Sequence, residues 1–231
     1  MARAAGKRSD RSSKRLRLLR GPKPQDRRIQ RRFSQAERSA STRAKIIEGA
    51  IRCLNKYGYA ATTVAMVSKE CGVSRGGMLH QFPAKVDLML AVVAFASGAD
   101  EHGDPEKAAV IGDPRQALMR LTEGFWRAQT LPAAMAKLEI VIAARSDKTL
   151  AAKLPKLYTN IERRRREYVW TIAKAAGVRD KKKIDAMVTL HVAAMRGLAI
   201  ERMVTNDDTT AQQGFALLKR YKEALIAELL D

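Results

Sequence analysis

Cysteine is almost missing from this chain: Cys53 and Cys71 are the only two in 231 residues. One pair makes no disulfide framework, so both are expected to be small buried hydrophobes in a reducing compartment. Histidine occurs three times and aromatic residues supply 5% of the chain. No candidate nucleophile has a neighbouring base recognisable from the sequence, so neither catalytic nor cofactor-binding residues are expected. Long apolar runs are also lacking. The longest, "LMLAVVAFASGA" at 88–99, falls well short of the ~20 residues a spanning helix needs. The basic N-terminus is followed by no apolar core, so no secretory signal is expected. Acidic residues are outnumbered, 24 against 44 Lys and Arg, leaving a net charge of +20. That excess calls for a polyanionic partner, nucleic acid or an anionic membrane surface.

What is present is helix. The hydrophobic fraction of 46% is enough to build a core. From residue 41 onward apolar residues recur at helical spacing, and no segment sustains strand alternation. "STRAKIIEGAIRCLNKYGY" starts at Ser41 and Thr42, carries a stripe from Ile46 to Tyr57 and stops at Gly58. Asp113-Pro114, Pro132, Gly177 and the threonines at 209–210 punctuate later helices, with Pro155 a kink or a late start in one of them. The expected fold is all-α with about nine helices.

Charge divides the chain unevenly. Residues 1–40 hold 14 Lys and Arg against 3 Asp and Glu, more than half the net charge. "KRLRLLRGPKPQDRRIQRRF" has almost no apolar periodicity, so 1–38 is read as a disordered basic arm. It is either a solvating tail or an arm that engages DNA phosphates or a minor groove.

Between residues 43 and 82 lie three short helices, the last two joined by a glycine-containing turn. That is the helix-turn-helix pattern, whose second helix enters the major groove. Here that helix starts at Ser74, with Val64, Val67, Val73, Met78 and Phe82 packing behind it. Gly76 and Gly77 sit together inside it, although each glycine in a helix interior costs roughly 1 kcal/mol. Without Cβ atoms they would let the backbone come close to DNA.

"GYAATTVAMVSKECGVSRGGMLHQFPAKVDLMLAVV", residues 58–93, resembles the DNA-binding domain of the TetR (tetracycline-repressor) family of bacterial regulators. The matching elements are Gly58-Tyr59, the Thr62-Thr63 cap, the Gly-Val-Ser turn, the glycine after Arg75, and Phe82 followed by x-x-Lys85. Length and helix number match the family more loosely. The resemblance implies backbone-phosphate contacts from Thr62, Thr63 and Lys85. It places Ser74, Arg75, Gly76, Gly77, Leu79 and His80 on the DNA face. Arg75 can read guanine O6 and N7 in bidentate fashion. For Thr62 and Thr63 plain helix capping is the competing role. Leu79 stands where the family usually has tyrosine, and Gly77 where threonine or alanine is common.

The resemblance further implies that residues 39–99 form the DNA-binding domain and 100–231 a larger regulatory and dimerisation domain. It also implies a double-stranded DNA operator as partner, a cytoplasmic setting, a small-molecule effector and a homodimer through the last two helices. The stripes Ile184, Met187, Val188, His191, Met195, Leu198 and Phe215, Leu218, Tyr221, Leu225, Leu229 would pair across a two-fold axis, or else form an internal core. Met119, Phe125, Trp126 and Met135 are candidate pocket residues, with Glu139 as polar anchor; ordinary core is the alternative. The implied function is a ligand-responsive, sequence-specific transcriptional regulator, a repressor released by its effector. The rival is a sequence-indifferent nucleic-acid binder led by the arm. Two smaller signals are discounted. "DEHGD" at 100–104 is read as a solvated loop rather than a metal site, and "ERRRREY" at 162–168 as a solvated face.

Overall fold

The computed structural model describes residues 24–98 and 112–230, with side chains from residue 35 onward. The "DEHGD" loop and residues 1–23 of the basic arm lie outside the described residues. Nine helices and no strand occur among the described residues. The chain divides into two units, Met1–Lys45 and Ile46–Asp231.

The first helix, α1, runs over Pro24–Ala61. Its start is a correction to the boundary read at Ser41–Thr42, and residues 24–38 are helical rather than irregular. Pro24 suits a first helical position because its φ is already fixed there and it has no N–H to leave unpaired. Thr42 Oγ1 donates to the Arg38 carbonyl at 2.8 Å, an intrahelical bond that takes the hydroxyl away from capping. Gly58 interrupts α1 with φ 73°, a left-handed angle glycine reaches without strain.

Then come α2 (Val64–Cys71), α3 (Arg75–Gln81) and α4 (Lys85–Ala96). After them follow α5 (Pro114–Gln129), α6 (Pro132–Ala143), α7 (Lys148–Ala175), α8 (Lys181–Thr205) and α9 (Asp208–Glu228). Asp113, Asp147, Asp180 and Asp207 accept backbone N–H bonds at the starts of α5, α7, α8 and α9, satisfying donors the helices leave open. Pro155 lies inside α7, so it does not delay that helix's start.

Two apolar cores organise residues 46–230. One gathers Ile46, Leu54, Val67, Met78, Phe82 and the buried face of α4 together with Ile140, Leu150 and Leu154. The helix-turn-helix therefore shares its core with α6 and the first half of α7, through α4. The second core joins Leu118, Val169, Ile172, Ile184, Met187, Val188 and Ile226 from α5, α7, α8 and α9. Gly49 has a packing role that sequence patterning does not reveal. A Cβ there would stand 2.9 Å from the Cβ of Cys71, so its absence lets α1 and α2 approach closely. Both cysteines are free.

The stripe read on α8 is internal. Ile184, Met187, Val188, His191 and Met195 are all buried within the chain itself. Exposed on α8 and α9 are Leu190, Met203, Val204 and Leu217, which the stripes did not include, and Tyr221, which the α9 stripe did. His191 Nδ1 sits 2.9 Å from the Met187 carbonyl, whereas its buried Nε2 has no hydrogen-bond partner among the described residues. No single helix among them is long and apolar enough to cross a membrane.

Candidate nucleic-acid interface

Local chemistry shapes the helix-turn-helix. Thr63 adopts an extended conformation and its side-chain oxygen accepts the Met66 N–H at 3.2 Å, opening α2. Gly72 closes α2 at φ 66°, and Ser68 Oγ donates to the Val73 carbonyl at 2.5 Å across the turn. Ser74 opens α3 by accepting the Gly77 N–H at 3.2 Å. Met78 and Phe82 are buried on the inner side of this segment, while Arg75, Gly76, Leu79 and His80 are exposed. Leu79 keeps 47% of its surface open, an apolar side chain on an otherwise polar face.

Three expected contacts are placed differently. Thr62 is fully buried and its hydroxyl donates to the Gly58 carbonyl at 2.7 Å, so that hydroxyl is turned inward and only Thr63 stands exposed. Lys85 directs its ammonium inward, donating to the Tyr59 carbonyl at 2.8 Å and lying 4.1 Å over the Tyr59 ring. Burial lowers its pKa, partly opposed by the Asp147 carboxylate. The paired glycines also separate. A Cβ on Gly76 would meet nothing within 4 Å, whereas one on Gly77 would press on Val73 Cγ1 at 3.0 Å and Ser74 Oγ at 3.4 Å. Gly77 thus has a packing reason inside the turn, and Gly76 alone faces open space.

Gly76→Ala isolates that difference. The new methyl fits, so the free protein is expected to gain about 0.5–1 kcal/mol from better helix propensity and a less flexible unfolded chain. Urea unfolding of the free protein measures this; a loss of stability would contradict open space at residue 76.

Tyr59 is the residue that sequence reading passed over. Its N–H donates to Glu139 Oε2 on α6 at 3.3 Å, and its hydroxyl to Asp147 Oδ2 at the start of α7 at 2.5 Å. Burial and the Asp147 bond raise the phenol's pKa, while the same bond lowers that of Asp147. The last turn of α1, beyond the kink at Gly58, is thereby joined to α4, α6 and α7. Only the glycine-tyrosine pair marked this place in the sequence, and its partners lie about 80 residues away in the chain.

The five candidate pocket residues do not converge. Glu139 serves the Tyr59 junction, Trp126 stacks on Phe215 at 4.9 Å, and Met119 packs into the second core. Met135 lines an open groove with Asn55, Leu131 and Arg202, while Phe125 lines a different cavity. Met119 and Phe125 both pack against the second core, whereas Trp126, Met135 and Glu139 each meet other neighbours. No group of three or more potential metal ligands occurs among the described residues.

A capped helix, a glycine turn and a second short helix with one face buried and one open define a helix-turn-helix domain of bacterial regulator type. Residues 46–92 match the family described as "Bacterial regulatory proteins, tetR family". Among curated proteins, the HTH-type transcriptional regulator CymR of Pseudomonas putida is 44% identical over 61 residues, 26% of this chain and 30% of CymR. The HTH-type transcriptional repressor AcnR of Corynebacterium glutamicum is 38% identical over 56 residues, 24% of this chain and 30% of AcnR. The alignments thus span about a third of those relatives' length.

A putative TetR-family regulator from Rhodococcus sp. superposes with a TM-score of 0.60 at 14% identity, covering 83% of this chain and all of that one. A TetR regulator from Haloarcula marismortui gives 0.60 at 17% identity, covering 80% of this chain and 98% of its own. Residues 46–92 thus carry a DNA-binding domain of the TetR type, and the fold of the chain is the one seen in TetR-family regulators.

Proposed function

We propose that the protein is a DNA-binding transcriptional regulator that represses by occupying an operator and leaves it when a small molecule binds between its later helices. The observation that carries this reading is the two-faced α3. Met78 holds it to the core, while Arg75, Gly76, Leu79 and His80 form the open side. Arg75 offers the bidentate chemistry that selects guanine, and Leu79 an apolar surface for a thymine methyl. Thr63 is the exposed threonine at the entrance to α2, suited to a phosphate.

Two half-sites one helical turn apart require two recognition helices, so the reading includes a homodimer. The exposed row on α8 and α9 supports it. Ala194, Gly197, Glu201, Leu217 and Tyr221 line a shallow groove between the two helices, flanked by Leu190, whose side chain is open. The cytoplasm, where bacterial DNA lies, is the proposed place of action. The Tyr59 junction gives an effector a physical route to the DNA-binding helices, because a shift of α6 or α7 must be met at Tyr59. Release then follows if the effector favours the arrangement that no longer fits the operator.

Footprinting on a palindromic duplex tests the reading. Two protected stretches one turn apart are expected, and Arg75→Ala is expected to cost about 1–3 kcal/mol at the base it reads, with phosphate-driven binding retained. Uniform affinity for all DNA would contradict it. So would binding that vanishes wholly on deletion of residues 1–38, which would give the lead to the basic arm instead.

A further inference from the structure

One arginine of the "ERRRREY" stretch is not solvated. Arg165 on α7 is 6% exposed, and both oxygens of Glu162 accept from its Nη1 at 2.7 Å. Lys137 on α6 is equally buried, at 6%. Its ammonium lies 5.6 Å from the centre of the Tyr158 ring, and no hydrogen bond or ion pair to it is formed by a described residue. Arg196 on α8 reaches the same residue, donating to the Tyr158 hydroxyl at 2.9 Å. Three helices thus bring three cations together. The charges acting on Lys137 are Arg165, Arg196 and the Glu162 carboxylate, which neutralises only one of them.

Burying unpaired positive charge is costly, and the cost is offset only when a negative partner arrives. Burial and the two arginines push the Lys137 ammonium down to about 8, the signature of a cation lacking its counter-ion. Arg165 also borders a cavity of about 350 Å³, lined by Phe95, Leu121, Phe125, Ala133, Tyr168 and Val192. Its guanidinium lies 6.0 Å from the Phe125 ring, and Ala133 stands one helical turn before Lys137 on α6.

We propose that the Lys137–Arg165–Arg196 cluster receives the anionic head of the effector, while the apolar cavity beside Arg165 takes its body. The ligand class is an amphipathic anion, carboxylate or phosphate, with an uncharged apolar part. This rests on the reading of the protein as effector-responsive, and it is tested without DNA so that each can fail alone.

Calorimetric titration of the full chain with decanoate, decyl phosphate, 1-decanol and decyltrimethylammonium compares one apolar tail under four heads. Saturable one-to-one binding is expected for the anions, at least tenfold tighter than for the alcohol, with none for the cation; the tighter anion identifies the head. Lys137→Met and Arg196→Met are each expected to weaken anion binding at least tenfold. Arg163→Met, an exposed neighbour on α7, is expected to leave it unchanged. Lys137→Met is also expected to raise the Tm of the ligand-free protein, so lost binding is separated from misfolding. Equal binding of alcohol and anions would overturn the proposal. So would Lys137→Met and Arg196→Met without effect, or an Arg163→Met loss as large as theirs, since that would mark adsorption to a basic surface.

Discussion

Phe82→Ala is expected to lower the stability of the free protein by about 3–5 kcal/mol, a large share of the 5–15 kcal/mol that typically holds a domain together. Phe82 is 1% exposed and among the largest fully buried side chains of the molecule. It closes α3, with its N–H donating to the Met78 carbonyl at 2.7 Å, and packs in the core that joins the helix-turn-helix to α4, α6 and α7. Truncation removes the whole aromatic ring from between packed helices and leaves a cavity in the core. The loss should therefore be near the full transfer-plus-cavity value. Phe82→Leu leaves much of the volume filled and is expected to cost about 1–1.5 kcal/mol. Urea unfolding at neutral pH measures both. A Phe82→Ala effect below about 1 kcal/mol would mean that this core is not packed as described.

The second large effect concerns alkaline pH, where stability is expected to rise. Burial pushes both Lys137 and Lys222 down to about 8. Lys222 is 4% exposed and donates to the Leu118 carbonyl and, at 2.7 Å, to Thr122 Oγ1. In the unfolded chain a lysine keeps its proton to about 10.4. Between pH 8 and 10 the unfolded state thus binds more protons than the folded one, so unfolding becomes harder as pH rises. From pH 7.5 to 9.5 each lysine should add roughly 2 kcal/mol. Above about pH 10 the gain is opposed by Tyr59, whose raised pKa makes the unfolded phenol the first to ionise. Urea unfolding at pH 7.5 and 9.5 checks the sign, and Lys137→Met should remove about half the increase. A flat or falling profile would mean that these ammonium groups are better solvated than their burial implies.

Much of the DNA-binding domain was legible because its signals are local. Thr63, Gly72 and Ser74 shape their own turn through atoms a few residues away, and the alternation of Met78 and Phe82 with Arg75, Leu79 and His80 follows from helical periodicity alone. The inward turn of Thr62 and Lys85 was not legible. A threonine before a helix and a lysine at a helix start look the same whether they face solvent or a neighbouring carbonyl. Gly77 was read with Gly76 for a similar reason, since only the placement of Val73 and Ser74 separates them. The neighbours of the pocket candidates on α5 and α6 were less legible still. Met119, Phe125, Trp126 and Met135 share hydrophobicity, but which wall each one lines depends on how α5, α6, α8 and α9 cross.

The amino-acid sequence by itself determined the all-helical class, the capped turns, the helix-turn-helix and the basic excess. These rest on periodicity, capping and net charge, which are properties of neighbours along the chain. The tertiary structure decided the rest. It passed the core of the DNA-binding helices through α4 into α6 and α7, and turned the stripe on α8 inward while leaving Leu190, Leu217 and Tyr221 open. It also tied Tyr59 to residues some 80 positions away and buried Lys137 beside Arg165 and Arg196. The physical reason is common to all four. Burial and charge pairing depend on which helices meet, and a side chain's pattern along its own helix does not specify its partner across the core.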